Sequence, residues 1–168
     1  MAAALLAARL EQAGLDAHVH SAGMLFDGEP AADFAVSVMA DRNIDTTGHR
    51  ARRMSGELLS RADLVVGMAR RHVREAVAAR PDTWPRAFTL KELVRRGEER
   101  GPRPPGQSLG DWLAVLHAGR RLPDLLGDSE ADDVADPIGG PRQVFERTAA
   151  ELEALTDRLA RLLAGTRE

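Results

Sequence analysis

Apolar and polar residues alternate along this chain with two different periods. Residues 2–13 are rich in Ala and Leu, the strongest helix formers, and Gly14 supplies a stop. Residues 17–21 (AHVHS) alternate as a short strand does. Pro30 opens a helix in which Phe34, Val38 and Met39 form an apolar stripe out to about Arg42. The polar, Gly-containing run from Asn43 to Met54 predicts a loop, and Ser55 with Leu58 and Leu59 a short helix. Residues 63–68 (DLVVGM) form a compact apolar run, the pattern of a strand buried on both faces. Val73 and Val77, four apart, mark a helix over 69–79. A short strand over 85–89 and a helix over 90–96 follow.

The character then changes. Residues 97–111 (GEERGPRPPGQSLGD) are rich in Gly and Pro and predict a surface loop. Ser108 and Asp111 cap a short helix to about Ala118, and residues 127–141 form an acidic loop. Pro141 opens a last helix with Phe145, Leu152, Leu155, Leu159 and Leu162 on one face. Strands alternating with helices predict an α/β fold, a parallel sheet covered by helices on both sides. Such sheets start with a strand, and this pattern starts with a helix. The expectation is that the first strand and the turn after it are missing.

A length of 168 residues predicts one domain. With aromatics at 4% and no Tyr, Leu, Ala and Val must fill most of the core. The net charge of −3 and the lack of aromatic platforms argue against nucleic acid and anionic membrane as partners. Zero Cys excludes disulfides, a Cys-ligated metal and a thiolate nucleophile within these residues. Arg9 and Glu11 end the N-terminal apolar run short of a membrane span, and no signal peptide is readable. The expected location is cytoplasmic.

Asp136-Pro137 has two readings that stay open on local grounds. One is a turn, since Asp-Pro and Gly-Gly are common loop formers. The other is a carboxylic acid on a loop, placed to protonate a leaving oxygen, with Asp132 and Asp133 raising its pKa by like-charge repulsion. No His joins these acids at ligand spacing, so no metal is expected there. His49-Arg50-Ala51-Arg52-Arg53 is either a solvated loop or a segment that attracts anions or buttresses a site. Ser21, just past a predicted strand, supports a loop at the sheet's C-terminal rim or lies at the core edge. His18, His20, His72 and His117 make no metal set by spacing.

Taken in order, these segments resemble the low-molecular-weight protein tyrosine phosphatase family. MAAALLAARL is similar to that family's first helix and HVHSAGM to its second strand with the Ser-Ala-Gly turn. The run GEPAADFAVSVMADRNIDTTGHRARRM, then ADLVVGM, RAFTLKEL and DVADPIGGP, follow in the family's order. The resemblance implies a three-layer α/β sandwich with a short parallel sheet, normally of four strands in the order 2-1-3-4. The first, central strand is the one missing here. It implies one domain over 1–168 with an insertion at about 97–130.

It also implies a phosphomonoester hydrolase with no cofactor, acting on a phosphorylated protein or a small phosphate ester. Chemistry proceeds through a phosphocysteine held by a C-x-x-x-x-x-R loop at a helix N-terminus. Asp136 is then the general acid/base, and Ser21 and His49 brace the phosphate loop. The Cys and Arg of that loop have no counterpart in this chain. Ile138-Gly139 stands where many members carry an aromatic pair, which leaves phosphotyrosine preference open. An absent central strand leaves two interior edges unpaired, at about 1–3 kcal/mol for each orphaned buried group. The chain is thus expected to be catalytically inert and poorly folded alone. The economical explanation is a misplaced start that omits about 15–20 residues, a strand and a loop. The alternatives are a pseudo-phosphatase acting as a binding module, and a same-fold arsenate reductase, which the absence of any Cys disfavours.

Overall fold

The computed structural model describes residues 1–165. They divide into two compact units, Met1–Met54 with Ala135–Ala160, and Ser55–Val134 with the segment that starts at Arg161.

The first unit is helical. Helix α1 (Ala2–Gln12) stops as predicted: Gly14 takes φ +69, its N–H bonds Glu11 O, and the Leu15 N–H bonds Leu10 O. That pair of bonds satisfies carbonyls the helix end would otherwise orphan. Helix α2 (Asp33–Ala40) is shorter than the predicted run from Pro30 to Arg42, and Asn43 in the left-handed region (φ 58) closes it. Val38, Phe145 and Ala149 form a buried cluster against which Met1 and Ala35 pack. Phe34 meets Phe145 edge-on, with ring centroids 5.7 Å apart. Arg9 and Arg42 both reach Glu153 on the last helix.

Residues 15–22 form no strand. The alternation is real, with Val19 half-buried between exposed His18 and His20. A strand, however, is defined by its ladder, and among the described residues none runs beside this segment. Only Gly23 pairs: its N–H bonds Arg52 O at 2.8 Å, and the Met54 N–H bonds Gly23 O at 2.8 Å.

The second unit carries the sheet. Helix α3 (Gly56–Ser60) leads to β1 (Val65–Gly67), α4 (Arg70–Ala79), a 3-10 turn (Pro81–Arg86) and β2 (Ala87–Thr89). The two strands are parallel, with Val65 opposite Ala87, Val66 opposite Phe88 and Gly67 opposite Thr89. This small parallel sheet flanked by helices is the α/β fold expected, with two ladder strands among the described residues. The first strand spans three residues and is half-buried at Val65 and Val66, against the longer, two-face-buried strand predicted. Gly67 is tightly packed: a Cβ there would lie 3.0 Å from Val73 Cγ2 and 3.2 Å from Ala69 O.

Helices α5 (Leu90–Arg100) and α6 (Leu109–His117) follow, then a 3-10 turn (Leu122–Leu125) and the final helix α7 (Arg142–Ala164). The helix read as ending near Arg96 runs on through Gly97. This glycine is no breaker: a Cβ would come 2.7 Å from Leu162 Cδ1 and 3.3 Å from Trp112 Cζ2. The predicted loop is therefore shorter, starting at Gly101 (φ +95). Three helices are capped by side-chain hydroxyls. Ser55, Thr89 and Ser108 accept from the N–H groups of Leu58, Glu92 and Asp111.

Candidate active site

The three residues singled out for the site all lie in the first unit. Asp136 starts a tight turn in which its Oδ1 accepts the Ile138 N–H at 3.1 Å. The Gly140 N–H then bonds Pro137 O at 2.9 Å, and Gly139 adopts φ +83. Gly140 fits because a Cβ there would press on Pro137 O and Val144, each at 3.1 Å. The turn runs directly into α7, and Thr148 on that helix bonds Ala135 O at 3.5 Å. The turn reading of Asp136-Pro137 is therefore observed, and the turn leaves the carboxylate exposed. One oxygen is fixed by the turn, and the group can exchange protons with an ester at the surface.

The charge environment differs from the sequence expectation. Asp132 and Asp133 were expected to act on Asp136. Asp132 instead bridges Arg70 and Arg95, and Asp133 accepts the Arg70 and Ser129 N–H groups, all within the second unit. Burial pushes the Asp132 carboxyl up, but hydrogen bonds from Arg95 and Arg70 outweigh it and hold the group below the usual carboxylate range. Among the described residues no group of three or more His, Cys, Asp or Glu is placed to hold a metal ion.

Ser21 is exposed and stands two residues before the Gly23–Arg53 bridge. His49 is half-buried on the opposite segment of the same bridge, its N–H on Thr46 O at 3.0 Å. Two more bonds continue the lacing, from the Gly28 N–H to Ala51 O and from the Ala51 N–H to Glu29 O. Asp27 Oδ1 accepts the Arg53 N–H at 3.2 Å. The segments bearing Ser21 and His49 are therefore held side by side. The side chains of Arg50, Arg52 and Arg53 face solvent, as the solvated-loop reading of that patch requires.

Helix α1 begins at an N-cap with no side-chain cap and no acid in its first turn. Leu25 and Phe26, 74% and 59% exposed, and Ile138, 69% exposed, are apolar surface features that sequence reasoning passed over or weighed only as a departure. Exposure of an apolar residue leaves no periodic signature, because a loop has no face.

The chain was compared with known proteins. Residues 1–101 match the family model of the low molecular weight phosphotyrosine protein phosphatase. A probable low molecular weight protein-tyrosine-phosphatase, EpsP of Ralstonia solanacearum, is 35% identical over 67% of this chain and 78% of its own. A protein-arginine-phosphatase of Geobacillus stearothermophilus is 29% identical over 97% of this chain and 86% of its own. Among solved structures, the low molecular weight protein tyrosine phosphatase from T. tengcongensis superposes with a TM-score of 0.69. It has 31% identity and covers 94% of this chain and 86% of that one.

Proposed function

The chain belongs to the low molecular weight phosphotyrosine protein phosphatase family, and on that premise we propose that it is the body of a phosphomonoester hydrolase with Asp136 as general acid and base. The observation that carries this reading is the Asp136 turn, an exposed carboxylate fixed by its own backbone at the start of a long helix. In the phosphocysteine mechanism a thiolate forms a bond to phosphorus as the ester P–O bond breaks. The electron pair leaves on oxygen, and Asp136 supplies the proton. Water then attacks phosphorus, the S–P bond breaks with its electrons returning to sulfur, and the Asp136 carboxylate takes the water's proton. Ser21 and His49 are proposed to brace the phosphate-binding loop.

Residues 1–168 contain no Cys, so the nucleophile is not among them. These residues alone are expected to turn over no ester. The nucleophile and phosphate-binding Arg are proposed to be encoded ahead of Met1, and the upstream reading frame tests this: a frame without C-x-x-x-x-x-R sinks it. The substrate class is a phosphorylated protein side chain or a small phosphate ester. The names of the similar proteins point to phosphotyrosine and phosphoarginine, and phosphopeptides of each kind separate the two.

The deciding experiment measures p-nitrophenyl phosphate hydrolysis by the upstream-extended protein and its Asp136→Asn variant. A loss of about a hundredfold or more supports the assignment, and equal rates overturn it. A second reading, a binding module without catalysis, is favoured by the absent Cys together with exposed Leu25 and Phe26. It predicts no hydrolysis by the extended protein, and retained affinity for a phosphopeptide.

A further inference from the structure

The sequence reads the chain just before the Asp136 turn as an acidic loop, and the structure shows it held by four cations. Arg74 on α4 donates to Leu125 O and, at 3.3 Å, to Gly127 O. Arg70 donates to Leu126 O at 3.3 Å. On α5, Lys91 donates to Glu130 O at 3.1 Å and Arg95 to Ala131 O at 3.2 Å. The carbonyls of residues 125, 126, 127, 130 and 131 are thus fixed by side chains from two helices rather than by secondary structure.

Two carboxylates complete the arrangement. Asp132 is 7% exposed and lies between the two helices, with Arg70 at 2.7 Å and Arg95 at 2.8 Å. Asp133 takes the Arg70 backbone N–H at 2.7 Å, acting on the open end of α4, and the Ser129 N–H at 2.9 Å. Val134 then bonds Met68 O at 2.8 Å, just past β1. Val134 is the last residue of its unit in this stretch, and Asp136 follows two residues later. Two residues span at most about 7 Å.

We propose that Asp132, with its partners Arg70 and Arg95, is a positioning residue for the general acid: it clamps the stem 125–134 and so sets where the Asp136 turn begins. The proposal rests on the reading of Asp136 as the acid. Backbone that is ordered by side-chain donors loses its order when those donors go, because no ladder replaces them. A buried carboxylate with two guanidinium partners is the member on which both helices converge. Asp132→Asn leaves the shape and removes the charge that draws both arginines.

Amide hydrogen exchange on the 168-residue chain reads the stem without reference to catalysis. In Asp132→Asn the amides of Asp133 and Val134 are expected to lose protection by about tenfold or more, with Leu93 in α5 unchanged. Arg95→Gln removes one arm of the bridge, keeps Arg70 and is expected to show a smaller loss at the same amides. It serves as the test if Asp132→Asn does not fold. Unchanged protection at Val134 in the folded variants overturns the stem.

The upstream-extended protein then separates positioning from mere stability. Phenyl phosphate needs a proton on its leaving group, and 2,4-dinitrophenyl phosphate does not. Asp132→Asn and Arg95→Gln are expected to lower kcat/KM, which reports the first chemical step, on phenyl phosphate by about tenfold and on the dinitrophenyl ester by less than about twofold. An equal loss on both esters, or none, overturns the positioning role. If Asp136→Asn itself shows no such selectivity, the acid assignment fails and the positioning role with it, while the exchange result still stands for the stem.

Discussion

Replacing Arg120 with Met tests how the second unit is held together. The Arg120 side chain is 2% exposed, with its guanidinium carbon 4.0 Å from the Trp84 ring centroid and 3.9 Å from that of Phe88. It donates to both Glu92 oxygens, at 2.7 and 2.9 Å, to Ala87 O at 2.8 Å and to Trp84 O at 3.3 Å. Burial lowers its pKa, and the hydrogen bonds and charge of Glu92 act the other way. Removing one partner of such a pair costs about 3–5 kcal/mol, because the other charge stays buried. Arg96 remains on Glu92 at 3.1 Å and Met refills the space between the rings, so the low end applies. With a urea m-value of about 2 kcal/mol/M, a loss of about 3 kcal/mol moves the midpoint down by roughly 1.5 M. The double variant Arg120→Met/Glu92→Met removes both charges and is expected to be more stable than Arg120→Met alone. A single-variant loss below about 1 kcal/mol, or a double variant equal to the sum of the singles, refutes the reasoning.

His117 offers a pH test. Burial first, then the Arg120 charge, lower its pKa below the ordinary 6.5, so the unfolded chain binds that proton more readily. Stability is expected to fall as pH drops from 6.5 through the lower folded value, and urea midpoints of His117→Gln should lack that limb. Gly97→Ala gains about 1 kcal/mol of helix propensity but drives a Cβ into Leu162, an overpacking cost of about 1–3 kcal/mol. A lower Tm is expected, and a raised one would show that Leu162 moves aside freely. Ser108→Ala removes the α6 cap and is expected to cost about 1 kcal/mol in a thermal melt.

Asp136-Pro137 and His49 stand in segments whose composition marks them as loops, and the structure keeps them there, while Ser21 ends a run that reads as a strand and forms none. Asp132 and Asp133 misled because a run of acids reads as a solvated, mutually repelling cluster. Their partners Arg70 and Arg95 are 62 and 37 residues away, a separation no spacing rule spans. Gly97 misled for a related reason. A glycine in a polar stretch reads as a breaker, and only the approach of Leu162 from the far end of the chain makes it a packing residue.

The existence of the helices and a cap such as Ser108–Asp111 were settled locally, since that cap joins residues three apart and helix bonds join residues four apart. Such bonds form wherever the residues stand in order. Strand content was decided by tertiary structure. The alternating run 17–21 carries the side-chain pattern of a strand, yet it has none of the ladder, while the three residues of β1 have β2 beside them. A strand's hydrogen bonds leave the segment sideways, so its existence depends on a neighbour that its own residues cannot specify.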